Sequence, residues 1–148
     1  MELIDFKIAN NKDIERIMEI ENESFLAPYN KDELIYELNG NPVSVYLLVT
    51  INDYVVGFID YWITFDSATI AQIAIDKRYQ NRGLAKALIK EMIDDCYAKK
   101  VQTITLEVRT HNVRAINLYK KMGFKETIIK TKYYTNGDDA LYMLREVN

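Results

Sequence analysis

The apolar residues of this sequence change their spacing repeatedly, from every second residue to every third or fourth. Alternation with polar residues over Ile4–Ile8 indicates an edge strand, and helical spacing over 14–20 indicates a helix. An apolar face of either kind must be buried against another element. The repeated change of period therefore predicts a sheet that packs against helices.

Capping and turn residues place the next elements. Asn30 and Glu33 have the spacing of a capping box, so a second helix is expected to begin there and to stop at Gly40. Asn52-Asp53 has the residue types of a tight hairpin between two strands. The strands predicted in this part of the chain cover 43–51, 54–64 and 69–75.

The second half of the chain continues the alternation. A helix from Gly83 to about Lys99 carries its apolar residues on one face, and a later helix containing 116–122 ends with Gly123 in the C′ position. Asn136-Gly137 indicates a tight turn between the last two strands. Strands are predicted over 101–108, 124–129 and 140–145, which gives the order β-α-α-β-β-β-α-β-α-β-β and implies a mixed sheet with helices on both faces.

Composition narrows the class of protein. With 148 residues, 49% of them hydrophobic, the chain is expected to form a single domain over residues 1–148. One cysteine, no signal-peptide pattern and no apolar run near the roughly 20 residues of a membrane span favour a cytoplasmic protein with no membrane partner. A net charge of −3 argues against nucleic acid and favours a cationic partner such as an amine or a basic peptide.

The segment from Ile73 to Gly83 carries the strongest functional signal. An apolar strand runs into the loop Gln80-Asn81-Arg82-Gly83-Leu84-Ala85, which opens directly onto a helix. First-turn N–H groups, the helix dipole and loop amides can converge on one anion when no side chain blocks the backbone. Gly83 and Ala85 are small enough to meet that condition, although a plain strand-to-helix connection would have the same pattern.

Two motifs together resemble the GCN5-related N-acetyltransferase (GNAT) family. Residues 80–85 are similar to that family's acyl-CoA pyrophosphate loop, Gln/Arg-x-x-Gly-x-Gly/Ala. One helix and one strand later, the chain carries the second motif, Asn112…Ala115-Ile116…Leu118-Tyr119…Met122-Gly123-Phe124. The resemblance covers the whole chain and implies a mixed α/β (α+β) fold: a GNAT-like domain with a twisted, mostly antiparallel sheet of about six to seven strands and about four helices.

A narrower resemblance is to the RimI-type branch of the family, which acetylates the N-terminal alanine of a small-subunit ribosomal protein. The residues that carry it are Leu106-Glu107-Val108-Arg109, Asn112, Tyr119, Tyr133-Tyr134 and Asp138-Asp139-Ala140…Met143. Members of this branch usually have Pro-Trp-Ser after the first helix, where this chain has Pro28-Tyr29-Asn30. The shape of the peptide-side pocket is therefore expected to differ.

The resemblance implies acetyl-CoA as the acetyl donor. One histidine and one cysteine do not make a zinc site, so no metal is expected. Pyrophosphate needs several amides and at most a supporting cation, for which Arg82 and Lys86 are candidates. The pantetheine arm is an extended diamide, so it can add to a strand edge at Ile73 and Ile75. The residues expected to bind the cofactor are Ile73, Ala74, Ile75, Gln80, Arg82, Gly83, Leu84, Ala85, Lys86, Asn112 and Tyr119.

Acetyl transfer to an amine requires a deprotonated nucleophile and a proton for the departing thiolate. The resemblance assigns the first task to Glu107, directly or through water, and the second to Tyr119, whose phenol can donate a proton while staying neutral. Glu107 could also be a strand-end residue in an ion pair, and Tyr119 a core residue. Cys96 lies on an apolar helix face, so direct attack in a ternary complex is favoured over an acyl-cysteine.

The acceptor is the least determined part of the prediction. The RimI-type resemblance favours the N-terminal amine of a protein, contacted by Tyr29, Glu107, Tyr133 and Tyr134. A small-molecule amine such as a polyamine, an amino acid or an antibiotic would share every cofactor residue. A non-catalytic CoA-binding module is the alternative from another class, although such a module would need neither Glu107 nor Tyr119. Oligomeric state is not predicted.

Overall fold

The structure is a computed structural model that describes residues 2–148. Within them, one sheet contains seven strands and is flanked by four α-helices. The strands are β1 (Ile4–Ile8), β2 (Ser44–Ile51), β3 (Tyr54–Thr64), β4 (Ser67–Ile75), β5 (Thr103–Arg109), β6 (Lys125–Lys130) and β7 (Ala140–Glu146). The helices are α1 (Ile14–Ser24), α2 (Lys31–Ile35), α3 (Leu84–Ala98) and α4 (Val113–Lys121).

The sheet has the strand order β1-β2-β3-β4-β5-β7-β6. Only β4 and β5 are parallel neighbours among these strands, and the other five pairings are antiparallel. A parallel pair needs a crossover connection, and here α3 provides it. The mixed, mostly antiparallel sheet of the predicted fold class is confirmed.

Helices cover both faces of the sheet, because successive side chains of a strand point to opposite sides. On one face, Ile17 of α1 and Leu34 of α2 pack in a cluster with Phe58 of β3. On the other face, Leu88 and Met92 of α3 are fully buried against the sheet. Burial of each such side chain contributes about 1.5–3 kcal/mol.

Local sequence signals predict the turns and caps well. Asn52 and Asp53 both have positive φ, at 48° and 68°, as a two-residue hairpin requires. The Asn30 side chain accepts from the backbone N–H of Glu33, so the predicted capping box forms. Gly123 has φ of +91° and follows the C-cap of α4, which confirms its C′ position.

Two predicted elements differ from the structure. The second helix is α-helical only over Lys31–Ile35 and continues to Gly40 as a wider π-type turn. The strands β6 and β7 are separated by residues 131–139, and Asn136-Gly137 forms a turn inside this connection rather than a direct hairpin. No helix within residues 2–148 is long and apolar enough to cross a bilayer.

Candidate active site

The strands β4 and β5 lie side by side over only part of their length. Pairing runs from Ser67 opposite Thr103 to Ile70 opposite Leu106. Both strands continue beyond this point, to Ile75 and Arg109. Because they no longer pair with each other, the sheet opens into a cleft.

A β-bulge in β4 coincides with the opening. On β3, Asp60 lies opposite Gln72 and Tyr61 lies opposite Ile70, so Ala71 is an extra residue. A bulge bends its strand and increases the local twist. Since Ala71 directly follows the last residue paired with β5, the bend accounts for the divergence of the two strands.

The main cleft that results has a volume of about 1000 Å³. It collects most of the predicted cofactor and catalytic residues from β4, β5, α3 and α4. Those that line it are Ile73, Ala74, Ile75, Gln80, Gly83, Leu84, Ala85, Lys86, Glu107, Asn112 and Tyr119, and Tyr134, which was predicted to bind the acceptor, lines it as well.

The open edge of β4 presents backbone groups to the main cleft. Just after β4, the Asp76 N–H donates to the Val56 carbonyl of β3. In an antiparallel ladder such bonds alternate, so Ile73 and Ile75 direct their N–H and C=O groups away from β3 and towards the cleft. The Gln80 side-chain amide donates to the Ile75 carbonyl at 3.1 Å, which fixes the start of the loop.

The N-terminus of α3 is open to an anion. Gly83 is its N-cap with φ of +78°, and no side chain caps the helix. The first helical hydrogen bond runs from the Ala87 N–H to the Gly83 carbonyl, so the N–H groups of residues 84–86 have no acceptor within the helix. Asn81 also has positive φ, at 65°. Left-handed residues beside a helix start direct several amides towards one point.

Arg82 does not line the main cleft. Its guanidinium pairs with Glu2 at 3.2 Å and lies 5.2 Å from the centre of the Tyr79 ring. Glu2 lies outside the cleft, although Tyr79 lines it, so a role as the supporting cation would need the Arg82 side chain to leave its pair with Glu2. Lys86 does line the cleft.

Three polar residues of α4 that line the main cleft were not predicted from the sequence: Arg114, Asn117 and Lys121. Arg114 donates to the Asn81 side chain at 2.6 Å and therefore ties α4 to the loop before α3. The sequence did contain a signal for them, because the spacings of three and four residues between Arg114, Asn117 and Lys121 place these side chains on one face of a helix.

Asn112 and Tyr119 occupy the two ends of α4. The Asn112 side chain accepts from the Ala115 N–H at 3.3 Å, so it caps the helix as predicted. The Tyr119 side chain is buried, and its ring packs edge-on against Phe124 at 5.8 Å. Burial first, and then the nearby Tyr134, raises the pKa of Tyr119, which keeps the phenol protonated.

A side pocket of about 270 Å³ adjoins the main cleft. Four aromatic side chains contribute to its wall, three of them predicted from the sequence and the fourth, Trp62, not. The Trp62 indole donates to the buried Glu37 at 3.0 Å. The complete lining is Tyr29, Trp62, Thr69, Ile70, Ala71, Glu107, Tyr133 and Tyr134.

Glu107 lies where the two spaces meet. It lines both the main cleft and the side pocket, as do Ile70, Ala71 and Tyr134. Its side chain is exposed, so water can reach the carboxylate. A carboxylate at this junction can accept a proton from a group in one space as that group approaches the other.

Aromatic contacts hold the far wall of the side pocket. The Tyr133 and Tyr134 rings pack edge-on at 5.3 Å, and the Arg109 guanidinium lies 3.8 Å from the centre of the Tyr134 ring. Interaction with Glu107 first, and then with Tyr142, raises the pKa of Tyr133. Tyr133 therefore belongs to the electrostatic environment of Glu107.

Comparison with known proteins gives a consistent result. The model of the acetyltransferase (GNAT) family matches residues 14–124. A Bacillus subtilis protein, provisionally named a ribosomal protein bS18-alanine N-acetyltransferase, is 38% identical over 138 residues, which cover 93% of this chain and 91% of that protein.

Two solved structures are also similar. The Escherichia coli ribosomal-protein-S18-alanine N-acetyltransferase superposes with a TM-score of 0.90 at 29% identity, covering 99% of this chain and 95% of that one. The Arabidopsis thaliana NAA60 in complex with acetyl-CoA superposes with a TM-score of 0.88 at 23% identity, covering 99% of both chains. The second likeness is one of fold.

Proposed function

Because the chain belongs to the GNAT family of acetyltransferases, we propose that it transfers the acetyl group of acetyl-CoA to the N-terminal α-amine of a protein, such as a ribosomal protein. The observation that carries the proposal is the position of Glu107 at the junction of the main cleft and the side pocket. The names of the Bacillus subtilis and Escherichia coli relatives support this acceptor class.

In this proposal, acetyl-CoA occupies the main cleft. The pyrophosphate binds the backbone amides at the start of α3, over residues 82–86, with Lys86 as a nearby cation. The pantetheine arm runs along the open edge of β4 and bonds to the backbone of Ile73 and Ile75. The Gln80 side chain holds the loop before α3, and the Asn112 side chain caps α4.

The acceptor amine enters through the side pocket, between Tyr29 and the pair Tyr133 and Tyr134. Glu107 removes the proton of the ammonium through water, which its exposure favours. The free amine then attacks the thioester carbonyl, the carbon–sulfur bond breaks, and Tyr119 donates its proton to the thiolate.

Direct transfer is supported by the position of the one cysteine. Cys96 is fully buried on α3, and it does not line the main cleft. Burial raises the pKa of Cys96 to about 11, so the thiolate needed for an acyl-enzyme would be scarce.

Release of the free thiol of CoA tests the proposal. Basic peptides that begin with alanine would be compared with the same peptides blocked at the N-terminus but carrying lysines, and with small amines including spermidine. We expect turnover only with free N-termini. Turnover only with small amines would overturn the proposal that the acceptor is a protein N-terminus. No turnover with any amine would favour a non-catalytic CoA-binding module.

A further inference from the structure

The loop between α1 and α2 forms part of both binding spaces. Its residues Phe25, Leu26 and Ala27 line the main cleft, and Tyr29 lines the side pocket. The position of this loop therefore affects the width of both spaces at once.

One residue of α1 holds this loop. In the described chain, residues 25–29 donate two backbone hydrogen bonds, and both end on Glu21. The Phe25 N–H bonds to the Glu21 carbonyl at 3.2 Å, and the Tyr29 N–H bonds to Glu21 Oε1 at 2.8 Å. The second bond closes the loop from a side chain that is completely buried.

The same carboxylate also reaches the sheet. Gln72 Nε2 donates to Glu21 Oε1 at 2.8 Å. Gln72 directly follows the bulge at Ala71, where β4 leaves β5, and it lines the main cleft. One buried oxygen atom thus joins the loop to the strand that bends to open the site.

The burial of this carboxylate is unfavourable for stability. Burial raises the pKa of Glu21, while the bonds from Tyr29 and Gln72 lower it. Within residues 2–148, Glu21 Oε2 accepts no hydrogen bond. A buried carboxylate with one unsatisfied oxygen is costly, so stability alone does not explain its presence.

We propose that Glu21 is a positioning residue that fixes the α1–α2 loop against β4 and so sets the shape of the side pocket. The inference rests on the proposed function only in taking the side pocket as the place of the acceptor. Glu21 acts through Tyr29 and Gln72 and does not contact the reacting atoms.

Two substitutions separate this role from a purely structural one. Glu21→Ala removes the carboxylate that accepts from the Tyr29 N–H and from Gln72 Nε2, so the KM for the acceptor peptide should rise about tenfold. The dissociation constant of acetyl-CoA should rise less than the acceptor KM, because the contacts proposed for it lie on α3, α4 and β4 and the loop forms only part of the cleft wall. Glu21→Gln keeps one oxygen for both donors and replaces the unsatisfied oxygen by an NH2 group, so the acceptor KM should return to the wild-type value.

A core substitution on the same helix provides the matched control. Ile17 is fully buried in the cluster that joins α1 to the sheet, and its apolar side chain cannot accept a hydrogen bond from the loop. Ile17→Ala should lower the melting temperature while leaving the acceptor KM unchanged. An acceptor KM that rises equally in Ile17→Ala and Glu21→Ala, or that rises equally in Glu21→Gln, would overturn the proposal.

Hydrogen exchange of the Tyr29 amide tests the same contact without any substrate. The amide should be protected in the wild type and in Glu21→Gln, and should exchange faster in Glu21→Ala. Equal exchange in all three proteins would overturn the positioning role. This readout stays decisive if the peptides prove not to be acetylated, a result that would contradict the proposed function alone.

Discussion

The two side chains proposed for proton transfer lie in opposite environments. Glu107 is exposed at the junction of two spaces, whereas Tyr119 is buried against Phe124. An exposed carboxylate can exchange protons with solvent after each turnover. A buried phenol with a raised pKa keeps its proton before the reaction, and a thiolate that departs into the same buried place has its own basicity raised by the loss of water.

Replacement of Glu107 by Gln keeps the size of the side chain and removes the base. We expect kcat to fall by about 10²–10⁴ with little change in the KM for acetyl-CoA. The deficit should be largest at low pH, where the acceptor amine is protonated. Initial rates at saturating substrates across the pH range measure this, and an unchanged kcat would exclude Glu107 as the base.

Tyr119→Phe removes one hydroxyl and keeps the ring contact with Phe124. We expect slower turnover with nearly unchanged affinity for acetyl-CoA, because the hydroxyl is needed only when the thiolate leaves. Single-turnover rates and a binding titration separate the two quantities. A variant as fast as the wild type would remove Tyr119 from the mechanism.

At the scale of elements, local signals were readable from the sequence and long-range ones were not. The cap at Asn112 and the turn at Asn52-Asp53 depend on residues within three positions of each other. The ion pair of Arg82 with Glu2 and the bond from Gln72 to Glu21 join residues far apart in the chain. Periodicity and capping rules carry no information about such partners.

The β-bulge at Ala71 illustrates the same limit. The apolar pattern over 69–75 predicts a strand, and the strand is present. The extra residue becomes visible only in the register with β3, which depends on the partner strand. The feature that opens the site was therefore beyond prediction from the local pattern.

The conformation of Gly83 makes the start of α3 sensitive to substitution. A Cβ at this position would have no atom within 4 Å, so Gly83→Ala meets backbone strain at φ of +78° but no clash. We expect a loss of about 1 kcal/mol in the free energy of unfolding. The affinity for acetyl-CoA should fall further, because the methyl group would project into the space proposed for the pyrophosphate.

Gly137→Ala is the matched control for this substitution. Gly137 has a similar φ of +88° and also has no atom within 4 Å of a Cβ, but it lies between β6 and β7. Chemical denaturation and a binding titration on both variants should give similar stability losses and different affinities. Equal affinity in the two variants would contradict the phosphate role of the α3 N-terminus.

At the scale of the whole molecule, a buried acidic group should set the pH dependence of stability. Burial, and then the neighbouring Glu37, raises the pKa of Asp60 to about 8. The folded protein thus holds a proton that the unfolded chain has lost, and stability should fall as pH rises from about 4 to about 8. For one group the slope is at most about 1.4 kcal/mol per pH unit.

Asp60→Asn removes this titration and should reduce the slope, to which Glu21, whose pKa is also raised by burial, still contributes. The amide oxygen can still accept from the Ser44 hydroxyl, which bonds to Asp60 Oδ1 at 2.7 Å. Denaturant unfolding between pH 4 and 8 measures the slope, with Asp53→Asn in an exposed turn as the control. A slope that is the same in wild type and Asp60→Asn would show that Asp60 does not hold the proton.

Binding of acetyl-CoA should stabilise the whole sheet, since the cleft proposed for it is lined by residues of both β4 and β5. A ligand at 100 times its dissociation constant adds about 2.7 kcal/mol to the free energy of unfolding. For a chain of this length we expect the melting temperature to rise by about 5–10 °C. Adenosine, which has neither the pyrophosphate nor the pantetheine arm, serves as the control. No shift with acetyl-CoA would contradict its place in the cleft.

The strands on the two sides of the short β4–β5 pairing come from two separate parts of the chain. The elements β1–β4 and α1–α3 lie within residues 4–98, and β5–β7 and α4 lie within residues 103–146. A cut at the exposed Lys99–Lys100 bond would therefore leave every strand and helix whole. Two such fragments, fused to proteins that meet in a cell, would form a split reporter. Because the fragments also share one apolar core, acetylation by the tethered pair would be compared with that of the untethered pair.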